Sequence, residues 1–116
     1  MLKLAWGLYM NKLQLSPAAL DDLVEIKTYI EQELQNSDAA VKTVGDITKR
    51  LRMLQDHADL GTRMSTAIRL ATDERFLVCG KYLAFYHTEI NAVHVDRIIY
   101  NKRNYQSLLF DWKINQ

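Results

Sequence analysis

The sequence predicts an α+β fold: one strand, an antiparallel two-helix hairpin, a three- to four-stranded antiparallel sheet and a short C-terminal helix. Three observations carry this expectation. Two amphipathic stretches lie between residues 17 and 55, separated only by Gln35-Asn36-Ser37. Beyond residue 65 the apolar period shortens from 3.6 to 2. Turn-forming pairs such as Gly80-Lys81 punctuate that second half. With 116 residues, 48% of them hydrophobic and 25% charged, the chain makes one globular domain rather than two undersized ones.

Residues 1–9 are apolar apart from Lys3 and read either as an N-terminal extension from an upstream start codon or as a helical turn that covers an apolar groove. Met10 opens the domain proper, 10–116. Leu13 and Leu15 alternate with Lys12 and Gln14, a short strand with one buried face. Ser16-Pro17 ends it. Ser caps the free N–H groups of a helix, and Pro suits the first helical position because no donor is needed there. In that helix Leu20, Leu23, Ile26, Ile30 and Leu34 form the expected core stripe, with Asp21 and Asp22 at its positive end. The second helix starts near Asp38 and carries Val41, Val44, Ile47, Leu51 and Leu54. Gly45 weakens it by about 1 kcal/mol relative to Ala, and a close approach of the two helices is the expected reason for it.

A loop with Gly61 follows over 57–65. Strand candidates then lie at 67–70, 75–79, 82–88 and 93–100, and Asn104 caps a short closing helix. Strict alternation puts Leu83, Phe85 and His87 on one side of the third candidate, and Tyr82, Ala84 and Tyr86 on the other. In the last it sets Val93, Val95, Arg97 and Ile99 against His94, Asp96, Ile98 and Tyr100. Both walls are apolar or aromatic, and one hairpin covers only one of them. The second wall is therefore expected to await a partner.

A formal charge of +1 excludes a protein that coats nucleic acid by charge alone. The total hides an asymmetry. Residues 16–60 hold nine acids against five bases, and residues 69–103 hold six bases against four acids. A lone Cys79 excludes a disulfide framework and multi-Cys zinc sites, and it reads as a small apolar core residue. No apolar run approaches ~20 residues, so no membrane span is expected and the expected location is the cytoplasm. Nucleotide-binding glycine patterns, hydrolase elbows, zinc-helix and calcium-loop spacings are missing. His57, His87 and His94 fall on separate elements without metal spacing, so neither metal nor cofactor is expected.

The segment with chemical promise is Tyr100-Asn101-Lys102-Arg103-Asn104-Tyr105. Lys102 and Arg103 can hold phosphate, Arg by a forked pair of hydrogen bonds. Tyrosines can stack on bases, and His87 can move a proton near neutral pH. RNA cleavage by a 2′-OH requires such a base, acid and surrounding cations. The plainer alternative is a solvated basic turn with Tyr105 tucked into the core.

On these residues the chain resembles the RelE/ParE superfamily of bacterial type II toxins. The matching stretches are LSPAALDDLVEIKTYI at 15–30, DLG at 59–61, RFLVCGKYLAFYHTE at 75–89 and, most specifically, VDRIIYNKRNYQSLLF at 95–110. The resemblance implies a helical hairpin on a twisted antiparallel sheet. It also implies a cognate antitoxin that covers the toxin, and a toxin–antitoxin complex that binds operator DNA through the antitoxin. Two activities occur among such toxins: poisoning of DNA gyrase by ParE-like members, and ribosome-dependent mRNA cleavage by RelE-like members. RelE-type enzymes carry an Arg where this chain has Leu83, whereas Arg103 matches their basic residue after the last strand. Their later Tyr aligns near Leu109, one helical turn beyond Tyr105. The catalytic candidates are thus Arg103, His87, Tyr105, Arg69, Lys81 and Arg97, with Lys102 and Arg75 for substrate binding. The ParE-like gyrase poison is the first expectation, the endonuclease the second, and an inactive relative that keeps only antitoxin binding the third.

Overall fold

A computed structural model describes residues 11–65 and 73–101 of the chain. The expected extension at 1–9, the strand at 67–70 and the closing helix from Asn104 lie outside the described residues. The element order is β1 (Lys12–Leu15), α1 (Pro17–Gln32), α2 (Ser37–Arg52), a 3₁₀ turn (Met53–Gln55), β2 (Thr62–Arg63), β3 (Arg75–Cys79), β4 (Tyr82–Glu89) and β5 (Ala92–Tyr100). The strands form one sheet in the order β1-β5-β4-β3-β2. Among the described residues only the β1–β5 pair is parallel. This is the expected α+β architecture, with the two-residue β2 as an addition too short to show a period.

Ser16 joins sheet to helix. Its N–H continues the parallel ladder to the Val95 carbonyl at 2.9 Å. Its Oγ accepts from the Ala19 N–H at 3.0 Å and donates to the Asp96 carbonyl at 2.8 Å. One side chain thus caps α1 and fixes the angle at which the helix leaves the strand. Asn36 caps α2 in the same way, accepting from the Ala39 N–H at 3.0 Å.

The centres of both expected stripes reach the core, with Ile30, Ile47, Leu51 and Leu54 buried and Leu23 and Ile26 packed against it, but some outer members do not. In α1 the buried residues are Ala19, Asp22 and Ile30, while Leu20 is 51% exposed and Leu34, just past the helix end, is 57% exposed. In α2 they are Ala40, Ile47 and Leu51, while Val41 is 63% exposed. Gly45 marks no close approach, since a methyl added there meets no atom within 4 Å.

A bulge sets the two faces of the sheet. Phe85 pairs with Arg97 and Tyr86 with Val95, so Asp96 is the extra residue. Alternation along β5 changes phase at this point. Val93 and Val95 share the helix-side cluster with Ile98, Leu77, Ala84 and Tyr86, whereas simple alternation separates Ile98 from the valines. On the far face Met64, Phe76, Leu83 and Phe85 form a second cluster, each at most 2% exposed, with Ile99 against it. The second wall expected to stand open is therefore closed within the single chain. Full burial of side chains of this size stabilises by about 1.5–3 kcal/mol each.

The loop before β2 is stitched to this core. Tyr86 Oη donates to the Ala58 carbonyl and accepts from the Gly61 N–H, both at 2.8 Å. A Cβ on Gly61 would lie 2.6 Å from the Phe76 carbonyl oxygen and 2.7 Å from Tyr86 Oη, so only glycine fits. Side chains from the helices finish two ladder positions that the short flanking strands miss. β1 stops at Leu15, opposite Val95, and the Ile98 N–H beyond it donates to Asp22 Oδ2 at 2.8 Å. β2 pairs only with Arg75 and Phe76, and the Val78 carbonyl beyond it accepts from Arg50 Nε at 3.1 Å. Asp22 thus completes a sheet edge; the expected role at the helix dipole is not the one it takes.

Candidate functional site

The β4–β5 ribbon has two chemically distinct ends. At the end formed by Tyr82 and Tyr100, the helical hairpin splays from the sheet and leaves an open groove of about 1090 Å³. Ile26, Tyr29 and Ile30 of α1, with Leu34 just beyond its end, form one wall, Ile47 and Arg50 of α2 another, and the Gly80-Lys81 turn and Ile98–Tyr100 the third. Tyr82 and Tyr100 are cross-strand partners with rings 5.4 Å apart, tilted at 58°. Tyr29, Leu34 and Tyr100 stay roughly half exposed. Apolar groups left to water in one concave region mark a surface suited to a partner.

The forked pair of Arg97 and Asp22 borders this groove. Arg97 Nε donates to Asp22 Oδ2 at 2.8 Å and Nη2 donates to Oδ1 at 2.9 Å. With the Ile98 N–H, the buried carboxylate accepts three hydrogen bonds. Cys79 lines the groove from behind, and burial pushes its thiol up to about 11, which keeps it protonated and unreactive at neutral pH.

At the opposite end, next to the Ile90-Asn91 turn, His87 of β4 faces His94 of β5. They are register partners with rings stacked at 5.1 Å and 17°. His87 Nδ1 lies 2.7 Å from Asp96 Oδ2 and 3.4 Å from Glu74 Oε2, and its Nε2 lies 3.9 Å from Glu89. Partial burial alone lowers the His87 pKa, but the hydrogen bond and charge of Asp96, aided by Glu74 and Asp73, outweigh it and raise the value overall.

Of the described candidates, Lys81 and Arg97 both line the groove, whereas His87 and Arg75 lie elsewhere. Lys81 sits in the turn at the groove end, and His87 is six residues further on, along β4, about 20 Å away at ~3.3 Å per residue. Arg97 is engaged by Asp22. Arg75 donates through Nη1 to the carbonyls of Gly61 at 2.9 Å and Asp59 at 3.3 Å, so it tethers a loop. Leu83, at the position where RelE-type enzymes carry Arg, is fully buried in the second cluster. Arg69, Lys102, Arg103 and Tyr105 lie outside the described residues. Sequence reasoning missed the groove residues, Tyr29 and Leu34 above all. Their exposure depends on the rotation of α1, and the only prior signal is aromatic residues at matching ends of two strands.

Comparison with known proteins accords with this fold. Residues 13–105 match the family model described as the ParE toxin of type II toxin-antitoxin systems. Among solved structures the chain is similar to a protein of a chromosomal ParDE toxin–antitoxin system from P. aeruginosa. The two are 22% identical with a TM-score of 0.67, over 79% of this chain and 97% of that one. At that identity the likeness concerns the fold. No curated protein sequence matches the chain significantly. The family match spans most of the chain, and the chain belongs to the ParE toxin family, within the RelE/ParE superfamily.

Proposed function

We propose that this ParE-family chain is the growth-arresting toxin of a type II toxin–antitoxin pair, acting by binding DNA gyrase rather than by cutting RNA. The separation of His87 from Lys81, with Arg97 held by Asp22, carries the choice between the two activities. A nuclease must hold a scissile phosphate between a proton-transfer group and cations that stabilise the developing charge. Here the one histidine proposed for that task faces Glu74, Glu89 and Asp96, which repel a phosphodiester. Leu83 supplies no cation in its buried position. A gyrase poison needs only a shaped surface.

The groove between hairpin and sheet supports an antitoxin partner in the same reading. Its half-exposed Tyr29, Leu34 and Tyr100 are suited to the apolar face of a helical or extended tail, with Arg50 and Lys81 placed for that tail's acidic side chains. The antitoxin would carry the complex to operator DNA, since the charge of this chain is near neutral.

The test is induced expression of the chain, alone and with the neighbouring reading frame, followed by two assays. Growth arrest relieved by the neighbour, loss of supercoiling by purified gyrase and intact mRNA are the expected results. Codon-phased mRNA cuts that vanish in Arg103→Ala would establish the endonuclease instead. No growth effect in either arm would leave an inactive relative that keeps antitoxin binding.

A further inference from the structure

We propose that His87, His94 and Glu89 form a binding site for a divalent transition-metal ion, with Zn²⁺ as the representative, at the β4–β5 turn. The site is independent of the groove and of the toxin reading.

The three residues come together through the sheet. His87 and His94 are directly opposite across the antiparallel pair, and Glu89 follows His87 by two residues, so it stands on the same face. Each offers one ligand atom, and these atoms lie within 4.8 Å of one another. Zinc bonds of ~2.0–2.1 Å in a tetrahedron set neighbouring ligand atoms about 3.4 Å apart, so a small contraction closes the site. Glu89 Oε1 is already 3.2 Å from His94 Nε2.

Two further features point the same way. Asp96 Oδ2 accepts from His87 Nδ1–H at 2.7 Å. A carboxylate on the far nitrogen of an imidazole fixes ring and tautomer and directs the Nε2 lone pair outward, the usual second support of a metal-bound histidine. His94 Nε2 is buried and makes no hydrogen bond, although Glu89 Oε1 is 3.2 Å away. An ion between the two atoms satisfies both. The bulge at Asp96 gives that carboxylate its place beneath His87, so the support is part of the fold.

The donor set decides the class of ion. Two imidazoles and one carboxylate suit Zn²⁺, Co²⁺, Ni²⁺ or Cu²⁺, whereas Mg²⁺ and Ca²⁺ prefer oxygen. Asp96 and Glu74 add negative charge nearby. Binding displaces any proton shared between Nε2 and Glu89, and the fourth position is open to water or to a partner's side chain. The expected effect is a clasp on the β4–β5 turn.

The test is calorimetric titration of the full, untagged chain with ZnCl₂ near pH 7.5, together with Co²⁺ absorption spectra. One Zn²⁺ per chain with micromolar affinity, a visible Co²⁺ band and no response to Mg²⁺ are expected. His94→Ala and Glu89→Gln should each weaken binding at least tenfold with unchanged far-ultraviolet circular dichroism, while His57→Ala binds as before. Absence of Zn²⁺ binding in the parent chain, or binding that survives in both His87→Ala and His94→Ala, would overturn the site.

Discussion

The two ends of the β4–β5 ribbon share strands, twist and hydrogen-bond ladder but present opposite surfaces. At the Tyr82–Tyr100 end, aromatic partners face a groove that the helices fail to cover. At the His87–His94 end, stacked imidazoles stand among carboxylates beside a tight turn. The difference teaches that register, more than composition, assigns the chemistry. One extra residue at Asp96 changes the phase of β5, and that places Ile98 in the core and the Asp96 carboxylate against His87.

The most severe way to break the groove end is to remove its supporting carboxylate. Asp22→Ala strands the Ile98 N–H and the Arg97 guanidinium, and chemical denaturation should report a loss of about 2–4 kcal/mol. Arg97 is 41% exposed in its side chain, which holds the ionic share to the lower part of that range. A loss under about 0.5 kcal/mol would mean that water serves this edge equally well.

Binding separates the two ends more sharply than stability does. Tyr29→Ala with Tyr100→Ala should weaken antitoxin association by at least ~30-fold, about 2 kcal/mol, while the half-exposed sites cost the fold less than ~1 kcal/mol each. His87→Ala should leave the same affinity within about threefold. Equal losses from both ends would place the partner along the whole ribbon.

The wall behind the groove is tested by pH. The Cys79 thiol is ordinarily near 9.0 and is raised to about 11 by burial. A raised folded value means that the folded chain holds the proton more tightly. The stabilising contribution is full below pH 9 and is lost as pH climbs to about 11, and Cys79→Ala should flatten that part of the curve. At pH 8 about one thiol in a thousand is ionised, so alkylation of the folded chain should lag far behind that of a free thiol.

The smallest expected effect lies on the α2 wall. Gly45→Ala meets open space and removes only backbone freedom, so it should add about 0.5–1 kcal/mol to stability and leave antitoxin binding unchanged. Destabilisation there would show that the helices need closer contact than the structure has.

Much of the fold was legible because it rests on local chemistry. Ser16-Pro17, the Gln35-Asn36-Ser37 break and the period-2 runs at 75–79 and 82–88 each act within a few residues, and the structure has elements at those places. The site was less legible because it depends on contacts between distant residues. Asp22 reads as a dipole partner from spacing alone, and only the stopping point of β1 shows why it is buried. His87 and His94 look unrelated until the two-residue turn at Ile90-Asn91 sets them opposite. The alternation of β5 misleads beyond the bulge. The far wall read as open, yet Phe76, Leu83 and Phe85 are covered within the chain.

The parallel pairing of β1 with β5 has a consequence for biosynthesis. Lys12 to Leu15 find their neighbours in Ala92 to Val95, and Ser16 closes on Asp96, so an early segment waits for a very late one. A nascent chain halted before Ala92 keeps β1 unmatched and α1 without its anchor, in a state rich in uncovered apolar surface. Long-range closure of this kind slows folding and ties maturation of the domain to synthesis of β5.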